Sequence, residues 1–136
     1  RAQMQARAGE ILEERLATLP DYEVAFNKKA RGGTATANIS QSPGKSVLGV
    51  LYRIRESAFS NLDRFEGAPQ HYRRTELSVV DPAGNRIPAQ VFIATRVEKQ
   101  PLRPASHYLQ TIVEGASEHG LPAGYIENIQ AAARLG

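Results

Sequence analysis

The stretch Asp81-Pro82-Ala83-Gly84-Asn85 constrains the fold of this chain more than any other. It consists of turn-forming residues and separates two runs of extended character, His71 to Val80 and Arg86 to Thr95. So short a connection between two such runs folds them back on each other as an antiparallel hairpin. Proline has no N–H to give to a ladder, so Pro88 places the second run at a sheet edge, at a bulge or at a late strand start.

The other strand signals lie upstream. Tyr22, Val24 and Phe26 alternate with Asp21, Glu23 and Ala25, the pattern of a half-buried strand. Thr34 to Ile39 reads as a second strand, closed by a turn at Gln41-Ser42-Pro43-Gly44. Val47 to Arg55 carries apolar residues on both faces, as a central strand does. Ala2 to Leu16 favours a broken helix with Gly9 as its weak point. Two later helices are expected. One spans Ala105 to His119 with Tyr108, Ile112, Val113 and Ala116 inward and a stop at Gly120; the other spans Pro122 to Ala133 with Tyr125, Ile126 and Ile129 inward. About five strands with helices between and after them predict an α+β fold, a small mixed, mostly antiparallel β-barrel with flanking helices.

With 136 residues, 41% apolar and 23% charged, the chain is expected to form one domain over residues 1–136 with a core that needs no metal or disulfide. Its 17 basic and 14 acidic residues leave a net charge of +3, too small and too dispersed to argue for nucleic acid. No apolar run is long enough to span a bilayer and nothing resembles a secretory leader, so no membrane partner and a cytoplasmic location are expected. For the same reason Asn38-Ile39-Ser40 carries no weight as a glycosylation signal. The chain opens on Arg1 and not on methionine, as a sequence that begins inside a larger product would.

There is no cysteine, and His71, His107 and His119 are widely separated, so no metal site is expected and no cofactor is called for. Ser117, in Gly115-Ala116-Ser117-Glu118-His119, lacks the second glycine of a nucleophile elbow and falls within an expected helix. The basic stretch Asn27 to Gly33 offers Lys28, Lys29, Arg31 and the backbone of Gly32 and Gly33 to an anion or an acidic partner, but a solvated hairpin loop explains it better.

One carboxylate stands out. Ser57 is placed to cap a short helix whose apolar positions Ala58, Phe59, Leu62 and Phe65 share a face. At 100° per residue Glu66 projects between Phe59 and Leu62, so the apolar face ends in an acid. Gly67 is suited to the left-handed residue that stops the helix. Partial burial and the negative end of the helix dipole would both raise the pKa of Glu66 and suit it to act as a base; the alternative is a frayed helix end with Glu66 in solvent. Tyr72 and Tyr108 are hydroxyl donors that would serve proton transfer without a cofactor, but taken singly each is better explained structurally, Tyr72 as a packed strand residue and Tyr108 as a helix anchor.

The run Leu62-Asp63-Arg64-Phe65-Glu66-Gly67 with Tyr72 five positions later resembles the γ-glutamylcyclotransferase, or AIG2-like, family and its Leu-Asp-x-x-Glu-Gly signature. Further segments agree in order: Asp21-Tyr22 to Phe26, Gly33 to Ile39, Ser42-Pro43-Gly44, Gly49 to Tyr52, and Tyr108 followed by Gly115-Ala116 and Gly120-Leu121-Pro122. The resemblance implies a small barrel with helices and a cofactor-independent enzyme that releases 5-oxoproline from γ-glutamyl amines or peptides. It implies that Glu66 is the general acid/base and that Tyr72 and Tyr108 bind or orient the γ-glutamyl substrate. Another family pocket tyrosine aligns with Phe92, where the hydroxyl is missing. Members of the family open with a strand and a Tyr-Gly-Ser-Asn loop whose amides hold the γ-glutamyl group, and the present sequence begins just after them. That leaves a non-catalytic metabolite-binding or regulatory module as the alternative function. An exposed sheet edge would admit a homodimer.

Overall fold

The computed structural model describes residues 2–29, 33–68 and 70–135. Along the chain these form helix α1 (Ala2–Ala8), strands β1 (Ile11–Lys29) and β2 (Ala35–Ile54), a 3-10 turn (Glu56–Ala58), helix α2 (Phe59–Glu66), strands β3 (Tyr72–Val80) and β4 (Arg86–Ala94), and helices α3 (Ser106–Glu118) and α4 (Ala123–Ala133). The four strands make one antiparallel sheet in the order β2-β1-β3-β4. Among the described residues no helix is long and apolar enough to cross a membrane.

The hairpin forms as its turn residues require. β3 and β4 pair without a register shift from Val80↔Arg86 to Tyr72↔Ala94. The Asp81 carboxylate accepts the backbone N–H groups of Ala83 and Asn85 at 3.0 and 2.8 Å, and Gly84 takes the positive φ (+88°) that closes the turn. The bond from the Asn85 amide is the main reason that the Asp81 carboxyl sits below its ordinary pKa. Pro88 pairs with Ser78 on the outermost strand, one of the positions its missing N–H allows.

Upstream, the structure corrects several expectations. α1 stops at Ala8, and Gly9 (φ +82°) turns the chain straight into β1. Ile11 to Pro20, whose first residues favour helix in isolation, pairs instead with the second half of β2, from Ile11↔Ile54 to Pro20↔Ser46. Non-local pairing here overrides local propensity. Gln41 to Gly44 does not reverse the chain. The register jumps from Pro20↔Ser46 to Tyr22↔Gln41, so Ser42 to Lys45 bulge out opposite Asp21, whose carboxylate accepts the Gly44 N–H at 3.0 Å. Both halves of β2 therefore pair with the same long β1, and the described residues form four strands where five were expected.

The Val47 to Arg55 run is not central, because β2 lies at the sheet's end. Its apolar residues are half-buried because β2 and β4 face each other across a hollow of about 600 Å³ lined by Val50 to Ile54, by Ile87 to Gln90 and by Phe92. No ladder joins β2 to β4 among the described residues, so the sheet curls without closing into the expected barrel.

Three apolar clusters hold the elements together. Phe26 and Ala35 pack with Ile129 and Ala133 and fix α3 and α4 to one end of the β1–β2 ribbon. Leu19, Val79 and Ala89 form the cluster between the strands. Ala8, Ala58 and Leu62, with Phe59 and Phe92 against them, seat α1 and α2 at the ends of β2 and β4. This last cluster positions the acid at the end of α2. Asn38 lies buried in the sheet with its amide engaged at both ends, donating to Asn27 Oδ1 (3.1 Å) and accepting the Ala94 N–H (2.9 Å), so it offers no acceptor for a glycan.

Candidate active site

Ser57 does not cap α2. It lies inside the 3-10 turn, and Ala58 precedes the helix with no side-chain cap. The helix is held by its apolar face instead, with Leu62 buried and Phe59 packed beside it. At the other end Gly67 adopts φ 68°, ψ 36°, and the Ala68 N–H bonds back to the Asp63 carbonyl at 2.8 Å. This stop leaves Glu66 half-buried at the helix end. Phe65, expected on the inner face, is 58% exposed at that face's margin and is covered by the Arg7 guanidinium 3.8 Å from its ring centre.

The same guanidinium reaches Glu66, with Nη1 3.6 Å from Oε1. The Glu66 side chain keeps 24% of its exposure. Burial raises its pKa above the ordinary carboxylate value, and the charge of Arg7 offsets part of that rise. The contact lies beyond hydrogen-bonding distance, so Arg7 biases the charge of the acid without capping its lone pairs.

Glu66, Tyr72 and Tyr108 all line one cleft of about 1140 Å³, though they come from α2, β3 and α3. The two tyrosines meet at a single residue of β2. Tyr108 Oη accepts the Ala37 N–H at 2.9 Å, and Tyr72 Oη donates to the Ala37 carbonyl at 3.3 Å while lying 3.0 Å from Thr36 Oγ1. Burial raises the Tyr72 pKa; the Thr36 hydrogen bond opposes this, and Tyr108 and the Glu66 charge add to it. The acid and Tyr72 are thus close enough to feel each other. The hydroxyl hydrogen of Tyr108 has no partner among the described residues, so it is available to a ligand.

His71 and His107, distant in sequence, line this cleft as well, whereas His119 stands apart and bonds Glu14 at 2.9 Å. Among the described residues no three His, Asp or Glu side chains gather where they could hold a metal ion. Phe92 borders both this cleft and the hollow between β2 and β4, and so do Arg7 and Glu66. Of the basic connection, Lys28 and Lys29 end β1 and line the cleft, while Arg31 and Gly32 lie outside the described residues. The contributions of Arg7 and Thr36 were not foreseen. Neither sits in a motif, and each acts through a tertiary contact that no spacing in the sequence announces.

The profile of the AIG2-like family matches residues 46–129, which include α2, the hairpin and both tyrosines. The chain belongs to the AIG2-like family. This AIG2-like chain is 35% identical over 124 residues to a mouse gamma-glutamylcyclotransferase and 33% identical over 124 residues to the human one, matching 85% of its own length in each case. It spans 64% of the length of both relatives. A solved structure described as a gamma-glutamyl cyclotransferase superposes with a TM-score of 0.86 at 27% identity, covering 96% of this chain and 79% of that one. The AIG2-like fold therefore agrees with the α+β expectation in its antiparallel sheet and flanking helices.

Proposed function

We propose that the protein is a cofactor-independent γ-glutamyl cyclotransferase that releases 5-oxoproline and an amine or amino acid, with Glu66 as general acid/base. The observation that carries this is the convergence of a half-buried carboxylate and two tyrosine hydroxyls on one cleft. The names of the mouse and human relatives support the reaction class.

The chemistry needs few groups. The substrate's α-ammonium gives a proton to Glu66, and the freed nitrogen attacks the γ-carbonyl carbon of the same molecule. A five-membered ring closes through a tetrahedral intermediate. The old amide C–N bond then breaks as the departing nitrogen takes that proton back from Glu66, and Glu66 passes the ring nitrogen's second proton to the same amine, which leaves as an ammonium. Because the attack is intramolecular, the protein's main contribution is to hold the γ-glutamyl chain folded. Tyr108 is suited to that, because its oxygen is fixed by the Ala37 N–H and its hydrogen remains to donate to the substrate carbonyl. Tyr72, anchored on Thr36 and Ala37, orients the substrate beside the acid.

The test is 5-oxoproline release from a panel of γ-glutamyl dipeptides and γ-glutamylamines by the full-length protein. Release supports the reaction and ranks the substrates. No release from any of them by a folded protein overturns it in favour of a binding module.

The pH profile checks the acid separately. Glu66 must be ionised to accept the proton, and burial raises its pKa, so kcat/KM should climb with pH through a limb above the ordinary carboxylate range. Arg7 lowers that pKa, so Arg7→Met should move the limb to higher pH and leave less activity on its acid side. An unmoved limb in Arg7→Met would show that Glu66 is not the group titrating.

A further inference from the structure

Asp63 lies on the same short helix as Glu66, yet the chemistry above gives it no task. It precedes the acid by three positions, a spacing at which side chains are neighbours on a helix surface. Its carbonyl accepts the Ala68 N–H that stops α2, and its carboxylate reaches β3, where Arg74 Nε lies 2.9 Å from Oδ1. The contact is one of charge, because Asp63 Oδ1 is sealed from solvent and receives no aligned hydrogen bond. Arg74 meets α2 a second time, with its guanidinium 4.8 Å from the centre of the Phe59 ring. One strand residue thus holds the helix at two points four positions apart.

The connection from α2 to β3 is closed by the His71 N–H on the Gly67 carbonyl at 2.8 Å. Counted outward from it, Glu66 and Tyr72 come first, and Asp63 and Arg74 come next. Arg74 follows Tyr72 by two positions, so the two project from one face of β3 about 7 Å apart. Contact between Asp63 and Arg74 therefore limits where Glu66 stands relative to Tyr72. Without Arg74 the sealed Asp63 oxygen would lose its countercharge, a costly state that turning α2 toward water relieves. Neither Asp63 nor Arg74 borders the cleft; both line a shallow depression with Ala68, Arg73 and Gln90.

We propose that Arg74 and Asp63 are positioning residues, a strut between β3 and α2 that holds Glu66 in its place beside Tyr72. The assignment rests on the role of Glu66 as general acid/base proposed above and gives the helix's other carboxylate its use. Neither residue touches the substrate.

The test uses the full-length protein and whichever γ-glutamyl substrate of the panel above it turns over best. Arg74→Met and Asp63→Asn should each lower kcat by roughly three- to thirtyfold, since a misplacement of about 1 Å at a reacting group costs about a hundredfold. KM should stay within about twofold of wild type, because no ligand contact is lost. The melting midpoint should hardly move, a partly exposed ion pair adding little to stability. Arg74→Lys keeps the charge and should recover part of kcat. In Asp63→Asn/Arg74→Met no carboxylate is left without its partner, so the double variant should be no slower than the slower single one. Unchanged kcat in the single variants, or losses that multiply in the double variant as for independent sites, overturns the proposal. Asp63→Asn keeps the shape of the side chain and decides even where Arg74→Met does not fold.

If wild type releases 5-oxoproline from no substrate, the cyclotransferase function fails on its own account, and the titration of Glu66 decides the strut. Carboxyl-carbon NMR follows it, with Glu66→Gln to assign the signal. Losing a nearby cation would by itself raise the midpoint. A Glu66 released from its place loses the burial that raises it, so the midpoint in Arg74→Met should fall. A midpoint that holds or rises overturns the strut.

Discussion

Glu66→Gln should cut 5-oxoproline release by about a hundred- to ten-thousandfold, the range expected when a positioned general acid/base is removed. The swap keeps the shape of the side chain and its place beside Leu62 and Gly67, but an amide takes no proton from the substrate ammonium and returns none to the leaving nitrogen. Stability should change little. The ion pair with Arg7 spans 3.6 Å between partly exposed groups, a kind of contact worth about 0–1 kcal/mol, and the variant no longer has to desolvate a charge at that position. Binding of a γ-glutamyl ligand should persist, since the tyrosine wall is untouched. Turnover by Glu66→Gln at the wild-type rate would remove Glu66 from the mechanism.

Gly67→Ala should act on the same acid through the backbone. Gly67 has φ 68°, where an L side chain costs about 1–2 kcal/mol. The added Cβ would also sit 2.8 Å from His71 Cδ2 and 3.4 Å from His71 Cβ. His71 has little room to retreat, because its own N–H is bonded to the Gly67 carbonyl at 2.8 Å. The melting midpoint should drop by roughly 3–10 °C, which calorimetry would read directly. Activity should fall by about tenfold or more, since His71 lines the cleft and Glu66 is the residue next to the strained one. A variant that melts and turns over like wild type would show that this helix stop does not position the acid.

The parts of this molecule that were legible in the sequence are those governed by neighbours in the chain. The hairpin followed from five turn residues, α3 and α4 from helical spacing and a glycine stop, and the half-buried setting of Glu66 from its angular position between Phe59 and Leu62. The failures share one physical origin. Ile11 to Leu16 has helical propensity, but it finds a partner strand more than 30 residues away in β2, and no local rule sees that partner. Val47 to Arg55 carries the pattern of a central strand, yet the surface that covers its second face is the opposite edge of a curled sheet. The site divides in the same way. Glu66 could be found from its own helix. Tyr72 and Tyr108 were separated from other tyrosines only by the family resemblance, because nothing local shows that β3 and α3 meet at Ala37. Arg7, 59 positions before Glu66, left no trace.

The grip of Tyr72 and Tyr108 on the Ala37 backbone makes β2 the gauge of the cleft. Two hydroxyls carried by elements far apart in sequence are calibrated against one residue's main chain, its N–H setting one and its carbonyl the other. Their spacing is therefore written in main-chain atoms that every residue but proline supplies in full. Side-chain changes at position 37 leave that ruler intact, while any slip of β2 along β1 carries both marks together and offsets them, as a pair, from the acid on α2.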